Sequence, residues 1–274
     1  MKARIASGEK CNRKRMATVA TVYDVERHMR SAESIIGLEK KDKKEPKGRN
    51  KRVWASITQD SSDVTEDVFQ EALRRDPKNS RLWTVVIDGG PQQLKNIQAC
   101  IKKYDVKATL VLDYIHATEY LWEAAHGFGF KESIAEAWVQ ERELRIMQGK
   151  ASDVAAGMRR SATHRRLSNK DREAIDRCAN YFLKYAHMMK YDEYLKEGLP
   201  IASGAIEGAC RYLVKDRMDI TGARWGLQGA EAVLKLRSLK KSGDLDAYWA
   251  FHKLQELQRN HISRYKSPSV LLAA

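Results

Sequence analysis

Apolar positions recur at two spacings along the middle of the chain, and the two spacings alternate. Short continuous runs rich in Val, Ile and Leu are typical of buried strands. Each run is followed by a segment in which apolar residues repeat every three or four positions, as on one face of a helix. This order predicts an α/β fold with a partly parallel sheet. The pattern places strands at 81–90 and 106–113, and helices at 91–105 and 114–128.

The N-terminal part is less regular and contains one strongly basic stretch. Residues 40–52 hold eight Lys or Arg and two acids, together with Pro46 and Gly48, and they show no apolar periodicity. We therefore predict an exposed loop or linker there. Around it, the pattern predicts a strand or hairpin arm at 15–25, a strand at 53–58, and a helix at 61–76 that ends before Pro77.

After residue 130 the helical spacing continues without any strand signal. Helices are predicted at 151–166 and 172–189. We expect this all-helical segment to interrupt the α/β part of the chain. The predicted organisation is 1–130 as the first part of a core, 131–200 as a helical insertion, 201–240 as the last part of the core, and 241–274 as a C-terminal helix and tail.

The stretch 203–226, SGAIEGACRYLVKDRMDITGARWG, places a single acid, Glu207, among small residues and ahead of several cations. Ser203 or Gly204 can cap a helix over 205–219. A glycine inside a helix is unfavourable, so the presence of Gly208 beside the acid suggests a function for the small residues there. They permit a bulky group, such as a metal ion with its phosphate, to approach the backbone closely.

This predicted helix has one apolar and one charged face, and Gly222 is expected to end it. An ordinary surface ion pair between residues four apart also explains the charged face. The apolar face comprises Ile206, Ala209, Cys210 and Leu213, and the charged face comprises Glu207, Arg211 and Lys215.

The composition adds a strong positive charge to this picture. Lys and Arg number 50 against 36 Asp and Glu, which gives a formal net charge of +14 and a pI of about 9.6. Such an excess favours a polyanionic partner, with nucleic acid ahead of an anionic membrane surface. A basic surface kept only for solubility is the alternative.

Targeting signals and disulfides are not predicted. No apolar run approaches the ~18 residues that a membrane-spanning helix needs, and the N-terminus lacks the apolar core of a signal peptide. We therefore expect a cytoplasmic protein with reduced cysteines. The four cysteines, Cys11, Cys100, Cys178 and Cys210, form no C-x-x-C pair and match no zinc spacing.

Four stretches of the chain carry a resemblance to a known family. They are GEKCNRKRMATVATVYDV at 8–25, VVIDGGPQQ at 85–93, LVLDYIHATEYLWEAA at 110–125, and PIASGAIEGACRYLVKDRMDITGARWGLQGAEAVLKLR at 200–237. Together they resemble DDE transposases of bacterial insertion sequences, of the Kra-type family. The likeness spans about 8–265, and its last block is the longest and most specific.

The resemblance implies a ribonuclease-H-like fold with a helical insertion before the last catalytic acid. It also implies metal-dependent DNA strand cleavage and strand transfer at transposon ends. Asp88 matches the second acid of the family's triad and Glu207 the third. Asp113 and His116 match an Asp-x-x-His element that shapes the site or holds strands. From the residues alone, Asp88 can equally serve a strand-end turn, and Asp113 can cap a helix.

The family's first catalytic aspartate has no counterpart here. Only MKARIAS precedes Gly8, without an acid, and Asp24 belongs to a segment that already has its own match. We expect a ribonuclease-H-like fold truncated at its N-terminus, whether as a shortened copy, a split-frame product or a fragment. We then expect either low stability or an altered sheet. A cooperative melt of the isolated chain well above ~60 °C would count against this expectation.

The implied cofactor is Mg²⁺ or Mn²⁺. Phosphodiester transfer of this class uses two ions about 3.5–4 Å apart, and Mg²⁺ prefers oxygen ligands. Asp88 and Glu207 are the expected ligands. Two carboxylates make an incomplete site, so we expect weak metal binding and little or no cleavage by this chain alone. His126, His164 and His187 fit no ligand spacing and are expected to be structural.

The expected partners are DNA, as transposon ends and target, and further copies of the chain in a homo-oligomer, in a bacterial, nucleoid-associated setting. A non-catalytic DNA-binding or dimerising inhibitor of the full-length enzyme is the alternative function, and a generic metal nuclease is a weaker one. Trp225 can stack on a base or anchor the core. The predicted DNA contacts are Arg211, Lys215, Arg217, Arg224 and Trp225.

Overall fold

A computed structural model describes residues 16–39, 47–220 and 224–265 of the chain. Within these ranges the protein is a mixed α/β structure, mostly helical, with two small two-stranded sheets. The chain divides into two compact units. The larger unit comprises residues 25–39, 47–49 and 65–205, and the smaller unit comprises residues 16–24, 50–64, 206–220 and 224–265.

The elements follow one another as strands and helices in the first half of the chain and as helices in the second. The strands are β1 (Thr18–Asp24), β2 (Arg49–Ser56), β3 (Trp83–Ile87) and β4 (Ala108–Leu112). The α-helices are α1 (Ala32–Ile35), α2 (Ser61–Arg75), α3 (Pro91–Tyr104), α4 (Tyr114–Gly127), α5 (Glu132–Met147), α6 (Ala151–His164), α7 (Asn169–Tyr185), α8 (Tyr191–Glu197), α9 (Gly204–Ala209), α10 (Asp216–Met218), α11 (Leu227–Ser242), α12 (Leu245–Leu257) and α13 (Ser263–Tyr265).

Short irregular helices connect some of these elements. A 3₁₀ turn at Ala186–Met188 follows α7, and π-helical stretches occupy Cys210–Lys215, between α9 and α10, and Gln258–Ile262, between α12 and α13.

β3 and β4 form a parallel pair in the larger unit, with Trp83 opposite Ala108 and Ile87 opposite Leu112. The helix α3 connects them. It begins with Pro91, whose fixed backbone suits the first helical position, and it ends at Asp105 in the left-handed region, at φ 49°. The predicted order of strand, helix, strand and helix is therefore confirmed for β3, α3, β4 and α4.

The core of the larger unit extends from this parallel pair through the helices that follow it. Ile87 and Leu112 belong to one apolar cluster with Leu121 of α4 and Phe182 of α7. The predicted absence of strands between 131 and 200 is confirmed, since the described structure there is helical. The predicted domain boundaries stay predictions, because the two compact units report packing and not the limits of a core and an insertion.

The prediction of an exposed loop over 40–52 is wrong from residue 49 onward, where β2 begins. The cations there did not prevent strand formation, because they lie on an exposed or half-exposed part of the strand while Val53 and Ala55 are buried. The Arg52 Nε lies 3.3 Å from the Asp244 Oδ2. Residues 40–46, like residue 15 of the first predicted strand, lie outside the described residues.

The smaller unit has a short apolar core of Val53, Ala55, Ala209, Leu213 and Leu234. The helix predicted over 205–219 is present, but its middle turn is π-helical at Cys210–Lys215. Ala209 and Leu213 are fully buried, which confirms the centre of the predicted apolar face. Gly222, predicted to end this helix, lies outside the described residues.

Candidate functional site

Two of the predicted site residues lie at the same edge of the parallel pair. Asp88 directly follows β3 and Asp113 directly follows β4. The Asp113 backbone N–H donates to the Ile87 carbonyl oxygen at 2.7 Å, which continues the strand pairing to this edge. In open α/β sheets, ligands bind beyond the carboxyl ends of parallel strands. The described structure therefore places both acids where the strand pattern predicted them.

The Asp113 carboxylate is buried and accepts three hydrogen bonds. Only 6% of the residue is exposed. Oδ1 accepts from the Ile115 backbone N–H at 2.9 Å, which makes Asp113 the N-cap of α4. Oδ2 accepts from the Ser203 backbone N–H at 3.1 Å and from the Ser203 hydroxyl. The predicted capping role is thus confirmed, and few lone pairs remain for a metal ion.

Asp88, by contrast, has an exposed side chain. Its Oδ1 accepts one intrachain hydrogen bond, from the Gly90 backbone N–H at 3.2 Å. Gly89 between them adopts a positive φ of 81°. A Cβ at Gly89 would lie 3.1 Å from the Tyr185 ring and from the Leu112 Cδ1. Any other residue at this turn would be strained by the positive φ and crowded by Tyr185 and Leu112. The turn leaves most of the Asp88 carboxylate available to a ligand.

Four tyrosine hydroxyls from α7 and α8 donate to backbone carbonyl oxygens of this strand pair and of the turn after β3. Three of these carbonyls lie at or just after the ends of β3 and β4, and the fourth, that of Leu110, lies in the middle of β4. Tyr181 and Tyr185, on α7, hold the turn that carries Asp88. The pairs are Tyr181 to Asp88 O at 2.8 Å, Tyr185 to Gly89 O, Tyr191 to Leu112 O at 2.8 Å, and Tyr194 to Leu110 O at 3.3 Å.

Two of these tyrosines, Tyr181 and Tyr191, have a raised pKa and act as uncharged donors at neutral pH. Burial, and then the neighbouring Tyr120 and Asp88, raise the pKa of Tyr181 above its usual value. Burial raises the pKa of Tyr191 well above its usual value as well. Both hydroxyls therefore keep their protons and can donate to the carbonyl oxygens they face.

His116, the fourth predicted site residue, belongs to an aromatic cluster beside Asp88. Its Nδ1 lies 2.8 Å from the Glu119 Oε2. Its ring meets the Tyr120 ring edge-on at 5.4 Å between centroids and the Tyr181 ring at 6.0 Å. Tyr120 and Tyr181 stack at 4.1 Å. The Tyr181 hydroxyl also donates to the Asp88 carbonyl oxygen. His116 is therefore connected to the Asp88 turn through the side chain of Tyr181.

Glu207 lies in the first turn of α9, with its side chain exposed. Glu207 belongs to the smaller unit, whereas Asp88 and Asp113 belong to the larger. The ordinary Glu207–Arg211 pair is not formed in the described structure. Instead, the Arg211 Nε lies 3.8 Å from the Asp216 Oδ1, five residues away, as the π-helical turn permits. Glu207 has no cation within 4.0 Å among the described residues.

The predicted DNA contacts differ in their exposure. Arg211, Lys215, Arg217 and Arg224 have exposed side chains. Trp225 is half-buried, with the Arg217 guanidinium 5.1 Å from its ring centroid. Its buried indole Nε1 has no acceptor among the residues that the structure describes. The half-buried ring fits the anchoring alternative for Trp225, and the DNA contacts of Trp225 and of the four cations stay predictions.

A metal site is not complete within the described residues. In 16–39, 47–220 and 224–265, no three His, Cys, Asp or Glu side chains lie close enough together to hold an ion. Exposed carboxylate oxygens are nevertheless the ligands that Mg²⁺ prefers. Asp88 and Glu207 offer such oxygens, whereas Asp113 is already occupied by hydrogen bonds.

Sequence reasoning missed the tyrosines and Ser203, which position the predicted acids. A signal for the tyrosines exists in their spacing. Tyr181 and Tyr185 are four residues apart, and Tyr191 and Tyr194 are three apart, so each pair lies on one helix face. Ser203 was assigned a possible capping role for α9, but its hydroxyl donates to Asp113.

Comparison with models of protein families, with curated proteins and with solved structures found no match to this chain. Among the described residues, no helix is both long enough and apolar enough to span a membrane.

Proposed function

We propose that this chain carries part of the catalytic core of a DDE transposase of a bacterial insertion sequence. Its reaction is metal-dependent cleavage of a DNA strand and transfer of that strand at the element's ends. The observation that carries the proposal is the setting of Asp88. It is an exposed carboxylate at the carboxyl end of a parallel strand pair, on a turn whose carbonyl oxygens accept hydrogen bonds from the Tyr181 and Tyr185 hydroxyls.

The finer fold assignment is a ribonuclease-H-like core with a helical insertion. Two features support it. β3 and β4 are parallel and connected by a helix. The helices α5 to α8 lie in sequence between β4 and the helix of Glu207, where the family places its insertion.

In this proposal Asp88 and Glu207 hold Mg²⁺ or Mn²⁺ through carboxylate oxygens. When bound, such ions activate the attacking oxygen and stabilise the leaving oxygen of a phosphodiester. The chain's own contribution is positional. Gly89 and the hydroxyls of Tyr181 and Tyr185 fix the direction of the Asp88 turn, and so the reacting groups need little reorganisation.

In this proposal, Asp113, Ser203 and His116 do not bind the metal ion but hold neighbouring groups in position. Ser203 and the Asp113 carboxylate fasten the start of α4 to the segment that precedes α9. His116 contacts Tyr181 and so supports the ring whose hydroxyl holds Asp88. Asp113 and His116 are thus positioning residues, and Asp88 and Glu207 are the catalytic ones.

The test is an assay of nicking and joining on DNA that carries insertion-sequence ends, with Mg²⁺ or Mn²⁺. We expect weak, metal-dependent nicking, because two carboxylates form an incomplete two-ion site. Asp88→Asn and Glu207→Gln each abolish it. Asp153→Asn, which removes an exposed acid from α6, is the matched control and leaves nicking unchanged. Nicking that persists in Asp88→Asn contradicts the proposal.

A non-catalytic DNA-binding inhibitor is the second candidate function. The engagement of Asp113 in hydrogen bonds and the lack of a three-ligand metal cluster among the described residues favour it. Under this alternative the chain binds DNA and inhibits a complete transposase, and Asp88→Asn changes neither property. Binding without nicking in every protein of the assay selects this second function.

A further inference from the structure

A group of unpaired cations surrounds the connection between α6 and α7 in the larger unit. We call it the α6–α7 cationic surface. All its side chains are exposed, and none lies within 4.0 Å of a carboxylate in the part of the chain that the structure describes. Its members are Arg160, Arg165, Arg166 and Lys170.

The neighbouring cations behave differently because they have partners. The Arg172 Nε lies 2.9 Å from the Asp176 Oδ2, and the Arg159 Nε lies 3.7 Å from the Asp176 Oδ1. Residues 159–172 hold six Lys or Arg and a single acid, Asp171. The Ser168 hydroxyl, 2.6 Å away, donates to that acid. The positive charge of the surface is therefore not compensated by its own segment.

The backbone of this surface is held in one conformation. The Arg166 N–H donates to the Thr163 carbonyl oxygen at 3.0 Å and the Leu167 N–H to the Ala162 carbonyl oxygen at 3.2 Å, which closes the end of α6. Leu167 packs on the core of the larger unit. Ser168 caps α7 through the Asp171 N–H. The cations are thus presented by a fixed connection between two helices.

Arg166 occupies a position at which glycine is usual. Its φ is 52°, in the left-handed region, directly after the end of α6. A side chain there is strained, so an arginine is unfavourable for the fold alone. An exposed arginine at a strained position points to a role in binding.

Arg165 is held in place by aromatic rings. Its guanidinium lies 4.9 Å from the Phe130 ring centroid and 5.6 Å from that of Phe128. A guanidinium stacked on rings keeps its edge N–H groups free, and these match the oxygens of a phosphate. The stacking reduces the side-chain entropy that a phosphate contact would otherwise cost.

We propose that the α6–α7 cationic surface binds the phosphate backbone of duplex DNA. This inference rests on the proposed function, since it places a second DNA contact in the larger unit, separate in sequence from the predicted contacts at 211–225. A membrane surface fits less well. Binding to membranes needs apolar side chains beside the cations, and no large apolar side chain between 159 and 172 is among the exposed ones.

The test measures binding of a fluorescent duplex by anisotropy over a series of salt concentrations. For B-DNA, the slope of log K against log salt changes by about 0.9 for each phosphate contact. The double variant R165Q/R166Q is expected to bind more weakly, with a slope shallower by about 1.8. An unchanged slope in this folded double variant overturns the proposal.

Two further proteins keep the result interpretable. Arg166→Gly removes the charge but relieves the left-handed strain, so its Tm is expected to stay equal or to rise while the slope falls by about 0.9. Lys196→Gln removes an exposed cation that is already 3.9 Å from Asp192 and is expected to leave the slope unchanged. If Lys196→Gln lowers the slope as much as Arg166→Gly does, the effect depends on overall charge and the proposed binding surface is wrong.

Parallel measurements separate this inference from other outcomes. Vesicles of phosphatidylcholine and phosphatidylserine are expected to bind the wild type and R165Q/R166Q alike; vesicle binding lost in the variant, with DNA binding unchanged, overturns the proposal in favour of a membrane. Nicking lost in Asp88→Asn tests the proposed function on its own. Absent nicking with the expected salt slopes contradicts only the function, and Asp88-dependent nicking with unchanged slopes contradicts only the cationic surface.

Discussion

The two units of the chain are built in different ways. In the larger unit, the parallel strands and helices α3 to α8 share one continuous core, with side chains such as Leu112 and Phe182 wholly buried. Among the described residues, the smaller unit has an apolar core of five buried side chains, together with polar contacts such as those of buried Glu231. Its helix α12 buries none of its residues, and Trp249 is about half exposed, at 51%.

The difference bears on the two acids proposed to be catalytic. Asp88 lies on a turn whose carbonyl oxygens accept hydrogen bonds from Tyr181 and Tyr185 of the larger unit. Glu207 is presented by a short helix that continues into a π-helical turn in the lightly packed unit. π-Helical turns often mark functional positions. The two acids therefore have different local surroundings, a hydrogen-bonded turn for Asp88 and a short helix for Glu207.

The largest expected effect tests the two cores with one matched substitution. Leu112 and Leu213 are both 0% exposed, one in each unit. We expect Leu112→Ala to lower the free energy of unfolding by about 3–5 kcal/mol, and Leu213→Ala by about 2–3 kcal/mol, because a small core with half-exposed neighbours collapses more easily around the cavity. Urea unfolding measures both values. A larger loss in Leu213→Ala contradicts the comparison.

The second effect concerns the polar support of the smaller unit. Glu231 accepts from the Ser56 hydroxyl and from the Ile57 N–H, each at 2.9 Å. Glu231→Leu leaves both donors unpaired and is expected to cost about 1–3 kcal/mol. Glu231→Gln keeps an acceptor oxygen and is the control, with a smaller expected loss. Hydrogen exchange of the Ile57 amide reports the effect locally, and unchanged protection in Glu231→Leu would count against it.

The third effect tests the tyrosines that hold the Asp88 turn. Tyr181→Phe and Tyr185→Phe each remove one hydrogen bond and are expected to cost about 1 kcal/mol of stability. In the nicking assay they lower the rate at saturating DNA without weakening DNA binding, since they move Asp88 and not the DNA contacts. Tyr194→Phe is the control, because its hydroxyl binds Leu110 O, away from the turn. Equal losses of rate in all three variants contradict the positioning role.

The smallest effect is a dependence on acid pH. Burial alone would raise the pKa of Asp76, but the Ser80 and Arg81 N–H groups and then the Trp83 indole outweigh it and lower the pKa from 3.8 to about 2. A carboxyl with a depressed folded-state pKa stabilises the fold above its unfolded pKa. That stabilisation is lost as pH falls from about 4 towards 2.

Thermal melts between pH 5 and pH 2 test this expectation. The Tm of the wild type is expected to fall in the acid range, and Asp76→Asn is expected to start lower and to show a shallower fall over the same window. Glu66, whose pKa is lowered to about 2 by Lys103 and then Tyr104, contributes with the same sign. A Tm decrease that is just as steep in Asp76→Asn shows that other groups cause it.

Much of the larger unit could be predicted from the sequence. The alternation that predicts β3, α3, β4 and α4 is local, because each element has its own apolar period. For Asp113 the sequence offered a role in the site and a role as the N-cap of α4. The capping role could be predicted because aspartate is a preferred N-cap residue. The second partner of Asp113, Ser203, could not be predicted, since ninety residues separate the two and only the tertiary fold brings them together.

The failures have physical reasons as well. β2 begins within a basic segment that was predicted to be a loop because it lacks apolar periodicity. The exposed first residues of the strand tolerate cations, because their side chains stay in solvent. The π-helical turn after Ala209 has no local sequence signal, and it replaces the expected Glu207–Arg211 pair by Arg211–Asp216. Each failure arises where tertiary packing overrides a local preference.

The central claim is that the exposed carboxylate of Asp88 is the metal-binding acid that the proposed function requires, and Mn²⁺ titration followed by amide NMR tests it most directly. Paramagnetic Mn²⁺ broadens the signals of nearby amides. We expect the amide of Gly90, whose N–H donates to Asp88, to broaden as Mn²⁺ is added, and we expect Asp88→Asn to abolish this broadening while the control Asp153→Asn keeps it. Broadening at Gly90 that persists in Asp88→Asn, or no broadening at Gly90 in the wild type, contradicts metal binding by Asp88 and with it the proposed function.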